Sequence, residues 1–315
     1  MDKKRLWNIG KILLKVVITS LLIYYVFQKI DVKVVAELFL SSNKAYLFLA
    51  FVLYLLSQVL SSWRLLTFLR NVGIDVGFWF NYRLYLLGMF YNIFLPGGIG
   101  GDGYKVYLLR KKYSVPTKRL LFAVFFDRLS GLWAIGFIAV LLIIFIPQIN
   151  IPATWPIIAL TSGTLLYYLI VSKFFGEYSR GFWISHLKAG GVQSLQVLSV
   201  IAILLSQDFD GKFSPYLFSF LLSSIIGIIN VGIAGLGVKD VFMAHAADVF
   251  DISTGLAVLI SLTFWLISVL ASLPGIYYVY KSKEFEPMPS DQEAKSLEKQ
   301  LDKTISTEVV STKNI

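Results

Sequence analysis

Asp102, Lys105, Asp127 and Arg128 are two acids and two bases set in or beside strongly apolar sequence. An ionisable group inside a bilayer costs about 2.5–3.5 kcal/mol on insertion scales, so it is kept where it meets an ion, a proton or a polar headgroup. A second set, Lys239 and Asp240 with His245 and Asp248 beyond, follows another apolar run. Asp240, Ala244 and Asp248 share a helical face at i, i+4 spacing with His245 adjacent, which leaves a proton relay or a metal pair open. The chain has two histidines and no cysteine. A metal requires a ligand cluster, so neither a metal nor another cofactor is expected. Plainer roles exist as well: Arg128 snorkelling to headgroups, Asp127 tied to Lys118 or Arg119, and Asp102 capping a helix.

Each charged set is introduced by a glycine-rich break. The first runs Asn92-Ile-Phe-Leu-Pro-Gly-Gly-Ile-Gly-Gly-Asp-Gly-Tyr-Lys105 and the second Asn230-Val-Gly-Ile-Ala-Gly-Leu-Gly-Val-Lys-Asp240. Gly98, Gly100 and Gly103 have the spacing of a dinucleotide fingerprint, but that motif needs a strand before it, and here an apolar run ending at Pro96 precedes it. A nucleotide is therefore rejected. What remains is general: glycines free backbone N–H groups, and the helix after the break points its positive end into it, which suits an anion such as a lipid phosphate. The candidate substrate-binding residues are Asn92, Gly100, Gly101, Asp102, Lys105, Asp127, Arg128, Gly235, Gly237 and Asp240.

The elements that must position these residues are membrane helices. Only 15% of positions are charged and 57% are hydrophobic, against roughly 25% charged in soluble domains. Apolar runs recur at Ile12 to Phe27, Ala45 to Trp63, Leu120 to Ile146, Trp155 to Val171, Gly190 to Leu205, Pro215 to Ile229 and Thr254 to Tyr280. About 20 such residues cross a bilayer, so the fold class is all-α, a polytopic helical membrane protein. Outer-membrane barrels need alternating strands, and these runs are apolar on all sides.

Basic residues orient the spans. If Leu84 to Gly103 and Pro215 to Gly237 dip in and return, most loop Lys and Arg residues fall on the cytoplasmic side. If those segments cross fully, the cluster Lys105, Arg110, Lys111, Lys112, Lys118 and Arg119 moves outside and the bias is lost. The expected topology is therefore six full spans plus two re-entrant glycine-broken hairpins, with both termini cytoplasmic in the inner membrane. The hairpins enter from opposite sides, the pattern of an inverted-repeat transporter with a site near the midplane. Asp31 to Ser42 reads as an interfacial amphipathic helix. Trp7, Trp63, Trp79, Trp155 and Trp183 read as interfacial anchors. Residues 1–280 form the transmembrane domain, and 281–315 a disordered cytoplasmic tail. The formal charge of +10 then reports orientation rather than nucleic-acid binding.

Three blocks carry a family resemblance: Asn92 to Arg110, Phe126-Asp127-Arg128-Leu129, and Gly235-Leu-Gly-Val-Lys-Asp240. They resemble the signatures of the lysylphosphatidylglycerol synthase/flippase transmembrane family over about residues 5–283. The resemblance implies a flippase module and points to Gly100, Gly101, Asp102, Asp127, Arg128, Gly235 and Gly237 as site-forming. It also departs from the family pattern, with Lys105 and Asp240 where Arg and Glu are usual and no proline near Val231. The family's best-known members add a cytoplasmic domain that aminoacylates phosphatidylglycerol. That domain has no counterpart here, so the chain is expected not to be an enzyme.

The expected function is a flippase or transporter of a phosphate-containing lipid, aminoacylated or not, with a membrane phospholipid or a polyisoprenyl-phosphate lipid as partner. The alternatives are a component or partner of a separate lipid-modifying or glycosyl-transferring enzyme, and a non-transporting scaffold. The pairs Asp208/Asp210 and Asp248/Asp251 are too isolated to favour the enzyme.

Overall fold

The computed structural model describes residues 32–94, 100–146, 149, 151–227, 237–281 and 285. Among them the regular elements are α-helices only: α1 (Val32–Ser41), α2 (Lys44–Asn71), α3 (Phe78–Phe94), α4 (Gly100–Tyr113), α5 (Thr117–Ile143), α6 (Thr154–Phe174), α7 (Gly176–Ser179), α8 (Phe182–Leu205), α9 (Phe213–Ile226), α10 (Val238–Phe250), α11 (Thr254–Ser272) and α12 (Gly275–Tyr280). The all-α polytopic reading holds. The expected first span, Ile12 to Phe27, both glycine breaks at 95–99 and 228–236, and nearly all of the tail lie outside the described residues.

Five helical segments are long and apolar enough to cross a membrane: Lys44–Asn71, Thr117–Ile143, Thr154–Phe174, Phe182–Leu205 and Thr254–Tyr280. They coincide with five of the six expected crossings. Helix α6 shows the membrane solvent most plainly. Only Pro156 and Val171 are buried in it, while Trp155, Ile157, Leu165, Leu166 and Phe174 are exposed. So wide an apolar face needs lipid against it.

Helices α3, α4, α9 and α10 differ. They have 17, 14, 14 and 13 residues, and even the longest is only about 25 Å at 1.5 Å per residue, less than the roughly 30 Å of hydrocarbon. Helix α3 packs on α4, and α9 on α10.

Local sequence explains the ends. Asn43 caps α2 by accepting the Ala45 N–H at 3.0 Å. Gly73, at φ +86°, closes the other end: its N–H donates to Arg70 O and that of Ile74 to Leu69 O, both at 3.0 Å. Leu69 and Ile74 are both buried there, which completes a Schellman stop. Ser253 starts α11 by accepting the Leu256 N–H at 3.4 Å.

Two apolar cores stack along the long helices. One gathers Ala50, Tyr54, Ile135, Val200, Phe220 and Phe264, the other Leu65, Leu69, Leu87, Leu109, Phe126 and Phe182. Helices α2, α5 and α8 run through both. Between their two contributions, each turns polar side chains inward: Ser57, Gln58, Ser61 and Arg64 from α2, Asp127 and Ser130 from α5, and Ser185, His186 and Gln193 from α8. A polar layer thus lies between two apolar ones. Buried polar groups require partners, and that requirement organises the site.

Candidate functional site

Asp102 is the centre of the layer. It projects from the first turn of α4, receives Lys105 Nζ at 2.7 Å from the next turn of the same helix, and receives Arg128 Nε of α5 at 2.5 Å. The Asn92 amide of α3 donates at 3.5 Å to Asp102 Oδ1, the oxygen that also takes Lys105, and Asn92 Oδ1 accepts the Gly101 N–H at 2.9 Å. Asp102 therefore links α4 to α5 and α3 and does not serve as a simple cap. Lys105 is buried, with its ammonium 5.1 Å from the centre of the Tyr85 ring. The three members differ in exposure: the Arg128 side chain keeps 40% of its surface, the Asp102 side chain 11%. Asp102 is thus the carboxylate shared by these two cations, and the most accessible member of the three is a guanidinium.

Glycines allow the approach. A Cβ on Gly101 would stand 1.9 Å from the Gly88 carbonyl oxygen, and one on Gly88 would meet Lys105 Cδ and Cε at 2.8 Å. Helices α3 and α4 meet backbone to backbone, with the lysine stem laid over Gly88. Gly100 opens α4 and is half-buried.

Asp127 faces the opposite way from its neighbour. Its carboxylate takes Arg64 Nε at 2.8 Å and Nη2 at 3.3 Å, a two-pronged pair between α5 and α2 with both residues buried. Gly131, one turn on, leaves room for the guanidinium, since a Cβ there would be 3.1 Å from Arg64 Nη1. Neither Lys118 nor Arg119 holds Asp127; Arg119 pairs with Glu177. Helix α5 begins at Thr117 rather than Leu120, so Asp127 lies about 15 Å from its first residue at 1.5 Å per residue.

Arg64 is the residue that sequence reasoning passed over, because it follows the run ending at Trp63 and reads as a flank. Its signal was the spacing of Ser57, Ser61 and Arg64, a polar stripe at i, i+4, i+7 down an apolar helix. Tyr85 Oη, 3.0 Å from Ser61 Oγ and 3.1 Å from Gln58 Oε1, ties that stripe to α3. His186 precedes the apolar run that begins at Gly190. It sits on α8, buried, stacked on Phe182 at 3.8 Å with Nδ1 2.7 Å from the Phe182 carbonyl. The helix starts eight residues before the apolar run because Gly181, at φ +69°, turns the chain into it.

In the second set, Gly237 adopts φ +89° and donates its N–H to Asp240 Oδ2 at 2.8 Å, so this carboxylate caps α10. Asp240 is 3% exposed. His245 and Asp248 are exposed, so they do not form a buried relay with it. Gly235 lies outside the described residues. No group of three or more His, Cys, Asp or Glu gathers among the described residues.

The structure therefore brings together Asn92, Gly101, Asp102, Lys105 and Arg128. It sets Asp127 beside them with a partner of its own, and places Gly237 and Asp240 at the head of α10. A family model, the lysylphosphatidylglycerol synthase TM region, matches residues 12–176. The match contains the whole Asp102 cluster and Arg64 and stops before α10. No curated protein sequence matches the chain.

Proposed function

The chain belongs to the lysylphosphatidylglycerol synthase transmembrane-region family, and from that premise we propose that it is a lipid flippase, carrying a phosphate-bearing headgroup through the polar layer between its two apolar cores. Membership makes it a multi-pass membrane protein of lipid-related function. The proposal adds the transport, and its central observation is the arrangement of Asp102 between Lys105 and the exposed Arg128.

The chemistry is an exchange of anions. Arg128 is held by an internal carboxylate and still presents surface outward. A lipid phosphate can take the guanidinium in two-pronged fashion, a geometry that Arg offers and Lys does not. Asp102 keeps Lys105, so the cluster is not left with a bare buried charge, whose cost would be several kcal/mol. The released face of Asp102 can meet an ammonium on the same headgroup. An aminoacylated phospholipid carries both charges and fits both halves of the cluster.

Two features support opposed hairpins as the moving parts. Helices α3–α4 and α9–α10 are paired, too short to span, and joined through glycine-rich sequence. In each pair a lysine of the second helix lies over a glycine of the first, Lys105 over Gly88 and Lys239 over Gly227. Broken helices of this kind serve transporters as ion and substrate sites. The sequence has no P-loop, so ATP does not drive the step directly; movement runs down a lipid gradient or with protons or membrane potential. The proposed setting is the inner membrane with cytoplasmic termini, and the role is transport without catalysis.

The test is reconstitution in liposomes holding a trace of fluorescent phosphatidylglycerol. Dithionite bleaches only outer-leaflet label in protein-free vesicles. The proposal expects bleaching to extend to the inner-leaflet pool with protein present; bleaching confined to the outer leaflet under every imposed gradient overturns it.

A further inference from the structure

A cavity of about 290 Å³ lies where α10 meets α2, α3, α8, α9 and α11. Its lining includes Lys239, Trp265, Asn92, Gln196, Ser224 and Tyr54, and among the described residues it holds one cation and no carboxylate. Lys239 reaches it by crossing Gly227, where an added Cβ would stand 2.3 Å from Lys239 Cε and 3.3 Å from Nζ. Among the described residues the Lys239 ammonium has neither a hydrogen bond nor an ion-pair contact. Its neighbour Asp240 turns its carboxylate to the Gly237 N–H instead.

Ser224 and Ser268, also in the lining, spend their protons on helix carbonyls, Phe220 O at 3.0 Å and Trp265 O at 2.7 Å, which leaves their oxygens as acceptors. A buried ammonium without a partner is unfavourable. In a polar space whose described lining holds no acid, it suits an acceptor-rich, negatively charged occupant.

We propose that this cavity is a phosphate-binding site, in which Lys239 supplies the charge. Resting on the flippase reading, it is a second station for the same lipid phosphate, reached from Arg128 past Asn92. Asn92 belongs to both places: its amide contacts Asp102, and its side chain lines the cavity. The site uses residues beyond the matched family segment.

Calorimetric titration in phosphate-free maltoside micelles tests the assignment, with dihexanoyl phosphatidylglycerol in one arm and inorganic phosphate in the other. A charged hydrogen bond of about 1.5–3 kcal/mol makes Lys239→Gln weaken binding about tenfold or more. Lys239→Arg restores most of it. Tighter binding of the lipid than of phosphate supports the lipid station; equal binding overturns that part and leaves an anion site. Wild-type affinity in Lys239→Gln, or no binding in either arm, overturns the site. Arg128→Gln separates the two ideas, since it is expected to stop flipping while the calorimetric response that depends on Lys239 persists.

Discussion

Gly88 and Gly101 touch through their backbones, so closely that a single methyl on Gly101 would fall 1.9 Å from the Gly88 carbonyl oxygen. This contact seats α4 against α3 and so sets where Asp102 points. Gly103, two residues on, has nothing within 4 Å of an added Cβ.

The two glycines should therefore respond oppositely to alanine. Gly101→Ala forces backbone apart and is expected to cost at least the ~1–3 kcal/mol of overpacking. Gly103→Ala is expected to be neutral or to stabilise by up to ~1 kcal/mol through helix propensity. Gly88→Ala meets only the lysine stem and should fall between. Thermal unfolding in detergent followed by size-exclusion chromatography ranks the three. Equal stability of Gly101→Ala and Gly103→Ala would show that the close approach does not exist.

The pair of Arg64 and Asp127 predicts a non-additive result. Removing one partner from a buried pair costs about 3–5 kcal/mol because the other charge is stranded. Arg64→Met and Asp127→Leu alone should each lower the unfolding temperature sharply, and the double variant should recover most of the loss. Additive losses in this double-mutant cycle would mean the two residues act independently.

Much of this could be read from the sequence because apolar length and charge in apolar surroundings are strong signals. Asp102, Lys105 and Arg128 stood out for that reason, and so did five of the spans. Pairing was not legible. Asp127 and Arg128 are chain neighbours, and successive helical residues are turned about 100° apart, so one meets α2 and the other α4. Nothing local says which. Arg64 escaped notice since hydropathy ends a span where the apolar run ends, whereas α2 continues to Asn71. Its polar stripe was visible only by helical period. Asp240 looked like a ligand by type, while its offset of three from Gly237 makes it a cap.

The proposed opposed arrangement of the hairpins gives an accessibility prediction that the cysteine-free background makes clean. Single cysteines replacing Gly100 and Gly235 in sealed, oriented vesicles should react with an impermeant maleimide from opposite sides. Labelling of both from the same side would contradict the inverted arrangement, whatever the transport result.

Arg128, held by Asp102 with 40% of its side-chain surface accessible, is the residue proposed to handle the lipid phosphate. The most direct measurement is the rate at which inner-leaflet fluorescent phosphatidylglycerol becomes accessible to dithionite in liposomes carrying wild type, Arg128→Gln or Arg110→Gln, at matched folded protein. Arg110 is an exposed residue at the far end of α4 and serves as the control. Loss of a charged contact worth about 1.5–3 kcal/mol predicts a fall of about tenfold or more for Arg128→Gln, with Arg110→Gln near wild type. Wild-type flipping by folded Arg128→Gln, or an equal fall in the control, would contradict the account.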